Sequence, residues 1–298
     1  MVTYKSVNFK QFTLSEREKF NQSLSASDAE PKVLLQTCSR VEQYSGSGEV
    51  NQEVVRYLFR LVSGLESSFI GETAIQGQVK NAYIDAAGKY QLSASLHKLF
   101  QTALRVGKRV RSESALSRGA MSHSQATIEL LVRENIELEN SIITIIGVNK
   151  LNEDIIRFLH AKGAYSIFLS NRSYDKAEEL ATKYKCSSFR LDDKRDFISF
   201  SDVIISATSA PHIIIRPEHI SADKKLLILD LAFPRDVDET IGVLPNVRLF
   251  NLDDINGRLS ENVDARKKEV ELAMQIINEE VTKFCSQINK VSFSGIVA

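Results

Sequence analysis

Between residues 141 and 252, apolar runs and amphipathic stretches alternate, and this constrains the fold more than any other feature of the chain. SIITIIG (141–147) is a β-branched run ending in glycine, and NEDIIRFLHAKG (152–163) is amphipathic and closes on Gly163. YSIFLSN (165–171) is strand-like again, and SYDKAEELATKY (173–184) opens on a serine suited to an N-cap. Further apolar strands follow in SDVIISAT, LLILDLA and VRLFNL. Right-handed crossovers lay the intervening helices over both faces of a parallel, doubly wound sheet. The pattern therefore predicts an α/β chain with a Rossmann-like nucleotide-binding domain over 141–254.

Residues 1–135 read differently, as a short strand or two followed by helix-rich sequence from EVVRYLFRLVSG through LHKLFQTALRVGKRV to SHSQATIELLVREN. They are expected to form a separate α+β domain, with the boundary inside RENIELEN (133–140). A chain of 298 residues exceeds what one hydrophobic core usually organises, in keeping with two domains and an accessory element. That element is a long helix expected over 255–298, where Val270, Ala273, Ile277, Val281, Phe284 and Ile288 keep three- and four-residue spacings. Its stripe must bury against its own chain or against a partner's helix, and spacing leaves both open.

With 43% hydrophobic and 26% charged residues, the chain has no apolar run near the roughly 20 residues that span a bilayer. The start, MVTYKSVNFKQF, has no signal-peptide pattern, and three scattered cysteines make neither a disulfide framework nor a C-x-x-C metal pair. A reducing cytoplasm is expected, with no membrane segment and no metal. Formal net charge is zero, so RNA would have to be met by a local basic face. The best one is LHKLFQTALRVGKRVRSE (96–113). Lys98, Arg105 and Arg109 share a helical face with Lys108 and Arg111 adjacent, while Leu96, Leu99, Phe100, Ala103 and Val110 supply the buried side. Such a stripe meets phosphates or is simply a solvated face.

In the nucleotide domain the first turn, IIGVNKLNEDI, keeps only Gly147 of a G-x-G-x-x-G fingerprint. Val148 follows, and Asn149 stands at the second glycine, where its tolerance of positive φ is the expected reason for its presence. FLSNRS places Asn171 and Arg172 about two dozen residues on, where an acidic residue would grip the ribose of NAD and an arginine accommodates the 2′-phosphate of NADP. Ser170 and Ser173 add hydroxyls and Lys176 adds charge. Thr208 and Ser209, in SATSAP at the next strand's end, are candidates either for ligand contact or for capping.

The stretch LLQTCSRVEQY (34–44) sets Cys38 two residues before Arg40. A cationic neighbour stabilises a thiolate, yet most lone cysteines are inert packing, and the turn after VLLQT leaves the geometry open. Cys186 and Cys285 lie without convergent polar groups and are expected to be structural.

QTCSRVEQY resembles the S-T-C-N-R-T-E-x-Y segment of the glutamyl-tRNA reductase family. SGLESSFIGETAIQGQVKNAY is similar to that family's S-G-L-D-S-x-x-x-G-E-x-Q-I-L-G-Q-V-K-x-A-Y, and LHKLFQTALRVGKRVRSES to its L-x-x-x-F-Q-x-A-x-x-x-x-K-R-V-R-T-E-T. NRS and LLILDLAFPRDVD match its N-R-T and D-x-A-x-P-R-D-V, and the blocks keep family order over residues 1 to 285.

The resemblance implies that Cys38 attacks the ester carbonyl of glutamyl-tRNA and that hydride from NADPH reduces the resulting thioester to glutamate-1-semialdehyde, opening tetrapyrrole biosynthesis. It also implies that Thr37 and Arg40 hold the glutamate moiety, with Ser67, Glu72 and Gln78 at further substrate-pocket positions. Glutamyl-tRNA is then the macromolecular partner. A homodimer through the C-terminal helix, and contact with the next enzyme, which uses glutamate-1-semialdehyde, belong to the same set of expectations.

Several positions depart from the family. Tyr57 stands where the H-L-x-R-x-x-S-G-L histidine is expected, and a phenol with a pKa near 10 is no base near neutrality. Phe9 replaces the histidine of G-x-x-H-K-T, and neither His97 nor His123 falls at a matching position. The segment between Tyr44 and Tyr57 is short, and little of the usual C-terminal dimerisation domain follows the last helix. A relative that binds glutamyl-tRNA, NADPH or a pathway partner without turnover is the alternative, and an NADP-dependent dehydrogenase of another small molecule is a third reading.

Overall fold

The computed structural model describes residues 1–25, 30–118, 120–221, 224–259 and 266–294, without the side chains of 25, 258, 259 and 288–294. In chain order it begins β1 (Thr3–Asn8), α1 (Leu14–Ser25), β2 (Lys32–Gln36), β3 (Arg40–Ser45), α2 (Gln52–Val62), α3 (Ala74–Lys89), α4 (Ala94–Glu113) and α5 (His123–Arg133). It continues β4 (Ile143–Ile146), α6 (Lys150–Ala161), β5 (Ile167–Asn171), α7 (Tyr174–Tyr184), β6 (Ser187–Arg190), α8 (Lys194–Phe200), β7 (Val203–Ser206), β8 (Leu226–Asp230), β9 (Val247–Asn251), α9 (Leu252–Leu259) and α10 (Lys267–Ser294). Two compact units result: residues 1–121 with α10, and residues 122–259. No helix among the described residues is long and apolar enough to cross a membrane.

In the first unit, β3 pairs antiparallel with both β1 and β2, giving the order β1-β3-β2. Strand alternation turns Val33 and Leu35 of β2 into the core, where α3 covers the strand. Helix α2 starts at Asn51, whose side chain accepts from the Glu53 N–H at 2.8 Å, and buries Val54, Val55, Leu58, Phe59, Leu61 and Val62. It packs on α4 and α10. The α4 face expected to be buried is buried at Leu96, Leu99, Phe100, Ala103 and Val110. On α10, Ala273, Ile277, Val281 and Phe284 are buried and Val270 partly so, and the Phe284 ring meets Phe59 edge-on at 5.9 Å. The C-terminal stripe is thus covered by its own chain at these positions; the Ile288 side chain lies outside the described residues.

The second unit is a six-stranded sheet of order β6-β5-β4-β7-β8-β9, parallel throughout. The order reverses between β4 and β7, and ligands of such sheets bind at the carboxyl ends of the strands flanking this reversal. Strands β4, β7 and β8 are buried along their whole length, which is why they read as continuous apolar runs. Helix α5 was expected in the N-terminal domain. It belongs here instead, because its buried face packs on α6 and α9. The long C-terminal helix likewise begins at Lys267, and α9 before it is part of the nucleotide unit.

Candidate functional site

A cavity of about 350 Å³ opens at the sheet reversal of the second unit. Gly147, Val148, Asn149, Asn171, Arg172, Ser173, Lys176, Thr208 and Ser209 all line it, joined by Ala207, His212 and Ile214. Ser170, expected among them, is fully buried in β5 and does not line it; strand alternation turns it away. Gly147 has φ +108°, and a Cβ there would lie 2.3 Å from the Ala207 carbonyl oxygen. That missing carbon is the cradle a pyrophosphate needs for close approach to the backbone. With Arg172 and Lys176 exposed on its rim, the cavity fits a phosphorylated dinucleotide. Gly147→Ala is expected to cost more than about 1 kcal/mol, because strain and collision add. It should also abolish measurable NADPH binding in a fluorescence titration, and unchanged affinity would refute the cradle.

Asn149 is present for a reason other than tolerance of positive φ, since its backbone is extended at φ −157°. Its Oδ1 caps α6 by accepting from the Asn152 N–H at 2.9 Å, and its Nδ2 donates to the Ala207 carbonyl at 2.6 Å. Asn152, at the third fingerprint position, is buried and donates to the Gly147 carbonyl at 2.8 Å. Asparagine amides therefore hold the turn where glycines would pack it close.

Behind the cavity lie two buried carboxylates from LLILDLAFPRDVD. Asp236 accepts from Ser206 Oγ at 2.7 Å, Thr208 N–H at 2.9 Å and Thr208 Oγ1 at 2.6 Å. Asp230 accepts from the N–H groups of Ala232, Asp236 and Val237 at 3.0–3.1 Å. Burial, then the Asp236 charge, pushes the Asp230 carboxyl up to about 7, and burial raises Asp236 as well.

In the first unit, Cys38 sits half-buried in the turn between β2 and β3. Backbone bonds from Thr37 N–H to the Arg40 carbonyl and from Phe9 N–H to the Ser39 carbonyl, both 2.9 Å, fix the turn. Arg17, fully buried on α1, donates to the Cys38 carbonyl at 2.5 Å. The cation reaching this turn from another element is therefore Arg17. Arg40, counted as both thiolate neighbour and substrate anchor, points inward and is 1% exposed. Its Nη1 donates to Tyr57 Oη at 3.0 Å and Glu42 Oε1 at 3.3 Å, and its Nη2 to the Glu66 carbonyl. Only Nε is a buried donor with no partner among the described residues. An open two-nitrogen fork is not presented.

The Arg40 bond to Glu66 ties the cysteine turn to the loop carrying Ser67, itself buried like Thr37. Gly71 N–H closes that loop on the Gly64 carbonyl at 3.1 Å, and a Cβ on Gly71, at φ +84°, would meet the Leu116 carbonyl at 2.0 Å. Glu72 follows half-buried, whereas Gln78 lies exposed on α3. Tyr57 donates to Glu42, which also accepts from Tyr44 Oη at 2.7 Å and Ser6 Oγ at 3.1 Å. Burial, then the Glu42 charge, pushes both phenols up from the ordinary tyrosine range, so Tyr57 is no base near neutrality.

The basic stripe of α4 is largely the seat of α10. Arg109 pairs with Glu280 at 2.9 Å and Glu279 at 3.2 Å, Arg105 with Glu280 at 3.5 Å, and Lys98 lies 5.7 Å from the Phe284 ring centre. Lys108 is exposed and Arg111 half-buried. Acidic residues of α10 thus engage Arg105 and Arg109, two of the three arginines expected to meet phosphate, and Glu113 one turn on adds a further pair to Arg109 at 2.9 Å.

The glutamyl-tRNA reductase N-terminal domain model matches residues 48–114, and the shikimate / quinate 5-dehydrogenase model matches residues 129–257. Glutamyl-tRNA reductase of Methanocaldococcus jannaschii is 32% identical over 97% of this chain and 79% of its own length. That of Methanopyrus kandleri is 33% identical over 89% and 72%. A solved glutamyl-tRNA reductase from Methanopyrus kandleri superposes with a TM-score of 0.50 at 30% identity, covering 97% of this chain and 81% of that one. With the cysteine turn tied to the S-G-L loop and a cavity at the reversal of a nucleotide-binding sheet, the chain belongs to the glutamyl-tRNA reductase family, a family of oxidoreductases of the tetrapyrrole pathway.

Proposed function

We propose that this chain reduces the glutamyl ester of glutamyl-tRNA to glutamate-1-semialdehyde, with Cys38 as nucleophile and NADPH as reductant. The observation that carries this reading is a thiol left half-exposed in a turn whose backbone is fixed by Thr37, Phe9 and Arg17. Such fixing holds a nucleophile against an ester carbonyl without further ordering cost. Attack forms the C–S bond and breaks the ester C–O bond; the ribose oxygen takes a proton and tRNA leaves. The glutamyl group then remains on Cys38 as a thioester, more electrophilic than the ester it replaced. NADPH bound at the second unit supplies the hydride that converts this acyl group to the aldehyde. Breaking the C–S bond returns the thiolate.

In this reading Gly147, Val148 and Asn149 approach the pyrophosphate, while Asn171, Arg172, Ser173 and Lys176 meet the adenosine ribose and its 2′-phosphate. Buried Arg40 acts on the substrate pocket through its bond to the Glu66 carbonyl, which ties the turn carrying Thr37 and Cys38 to the loop carrying Ser67. Arg105 and Lys108 are the exposed cations among the described residues of the α4 stripe, and both would meet the tRNA backbone. A cytoplasmic setting goes with this chemistry, which needs a reduced thiol.

The direct test is product. Purified protein with glutamyl-tRNA and NADPH should release glutamate-1-semialdehyde and uncharged tRNA; deacylation without aldehyde would contradict the proposal. Arg172→Ala should weaken NADPH about tenfold or more while leaving NADH nearly unchanged, because a charge-assisted contact to phosphate is worth about 1.5–3 kcal/mol. Equal losses for both cofactors would remove Arg172 from the 2′-phosphate.

A further inference from the structure

We propose that Asp236, which does not line the cofactor cavity, is its positioning residue, holding the wall segments that NADPH contacts. This rests on the cofactor reading above. Besides residues 171–176 after β5, the cavity wall includes three segments: the turn 147–149 after β4, the turn 207–209 after β7 and the returning chain at Ile214. Asp236 reaches two of these directly. Its carboxylate takes the Ser206 hydroxyl and both the hydroxyl and N–H of Thr208, at 2.6–2.9 Å, while its main-chain carbonyl takes Ile214 N–H at 2.7 Å and Ile215 N–H at 3.0 Å.

The third segment is reached through Ala207, which lies between the two residues the carboxylate holds. Its carbonyl accepts the Asn149 amide at 2.6 Å and stands where a Gly147 Cβ would collide. With so little space between the two turns, a displacement of 206–208 is passed to the turn that approaches the pyrophosphate. Asp236 is itself fixed, since its N–H donates to the Asp230 carboxylate at 3.1 Å.

A carboxylate suits the site because all three groups directed at it donate, the Thr208 N–H obligatorily and the two hydroxyls in their present orientation. An asparagine amide would turn one of its own donors toward them, and protonation would do the same to the acid. The ionisable groups facing Asp236 are Asp230 on β8, whose charge opposes ionisation, and His212 on the loop after β7, whose positive form favours it. NADPH affinity should therefore fall on acidification beyond what the cofactor alone contributes. The 2′-phosphate titrates near about 6 in every variant, so the difference between profiles isolates the protein's part.

The test is NADPH fluorescence titration of the full chain, which contains no tryptophan to complicate the signal. Wild type, Asp236→Asn and Thr208→Val are compared between pH 5.5 and 8, with melting temperatures recorded. Asp236→Asn should raise the NADPH Kd about tenfold or more at pH 8 and flatten the protein's part of the pH profile. Thr208→Val, at a half-buried position, should raise the Kd several-fold with little change in melting, which keeps the test decisive if Asp236→Asn does not fold. Wild-type binding that both folded variants leave unchanged at every pH overturns the inference alone. No binding by the wild type overturns it together with the cofactor reading.

Discussion

Cys38→Ser should lower single-turnover NADPH oxidation with glutamyl-tRNA by about 10³-fold or more, while leaving NADPH binding untouched. The substitution keeps the shape of a half-buried side chain in a turn fixed by backbone bonds and by Arg17, so the fold is not at issue. Only the nucleophile changes. A thiol is a few per cent thiolate at neutral pH or more, whereas a serine hydroxyl needs a base to be activated. The phenol of Tyr57, raised by burial and by Glu42, cannot provide one near neutrality. Even if serine reacted, it would form another ester, no easier to reduce than the substrate. A residual rate within tenfold of wild type would show that hydride transfer does not pass through Cys38.

The second large effect is on stability. Glu42 is fully buried and accepts from Arg40, Tyr57, Tyr44 and Ser6. Glu42→Ala leaves a guanidinium and three hydroxyls without their shared acceptor in a dry site, and removing one partner of a buried ion pair costs about 3–5 kcal/mol. Native-state hydrogen exchange at β3 amides reads this loss for the first unit alone, which a global melt of a two-unit chain would not. Tyr57→Phe, which deletes one donor and leaves the pair intact, should cost about 1–2 kcal/mol. If Glu42→Ala changed protection by less than about 1 kcal/mol, the network would be decorative and the placement of Arg40 would need another cause.

These four partners also show what was legible in the sequence. Period-two spacing puts Arg40, Glu42 and Tyr44 on one face of a strand, but no local pattern says that the face is covered, and Arg40, two residues after the cysteine, is expected from the family resemblance to hold the substrate. Tyr57 was legible as a departure; that it donates a hydrogen bond to Glu42 depends on a contact 15 positions away. The same limit hid the partners of the α4 stripe, since spacing identified one face while Glu280, which pairs with Arg109, lies 171 positions on.

The nucleotide unit was easier, because buried parallel strands announce themselves as apolar runs. Strand β6 (SSFR) escaped notice because it is short, polar and at the sheet edge, burying only Phe189. Helix α5 was assigned to the wrong unit since the polar stretch after it resembles a linker, while its choice of α6 as neighbour is tertiary. Asn149 did carry a usable signal: asparagine is a strong N-cap residue, and that property rather than positive φ explains it. Arg17 carried none, being one charged residue in a polar helix.

The measurement to make is a rapid quench of the protein with glutamyl-tRNA carrying labelled glutamate, first without NADPH and then with it. The expected result is label on the peptide containing Cys38, sensitive to hydroxylamine and discharged as glutamate-1-semialdehyde when NADPH is added. NADPH consumption without label on Cys38 would contradict the thioester route. If neither label nor oxidation occurs although glutamyl-tRNA and NADPH both bind, the chain is a binding relative that does not turn over.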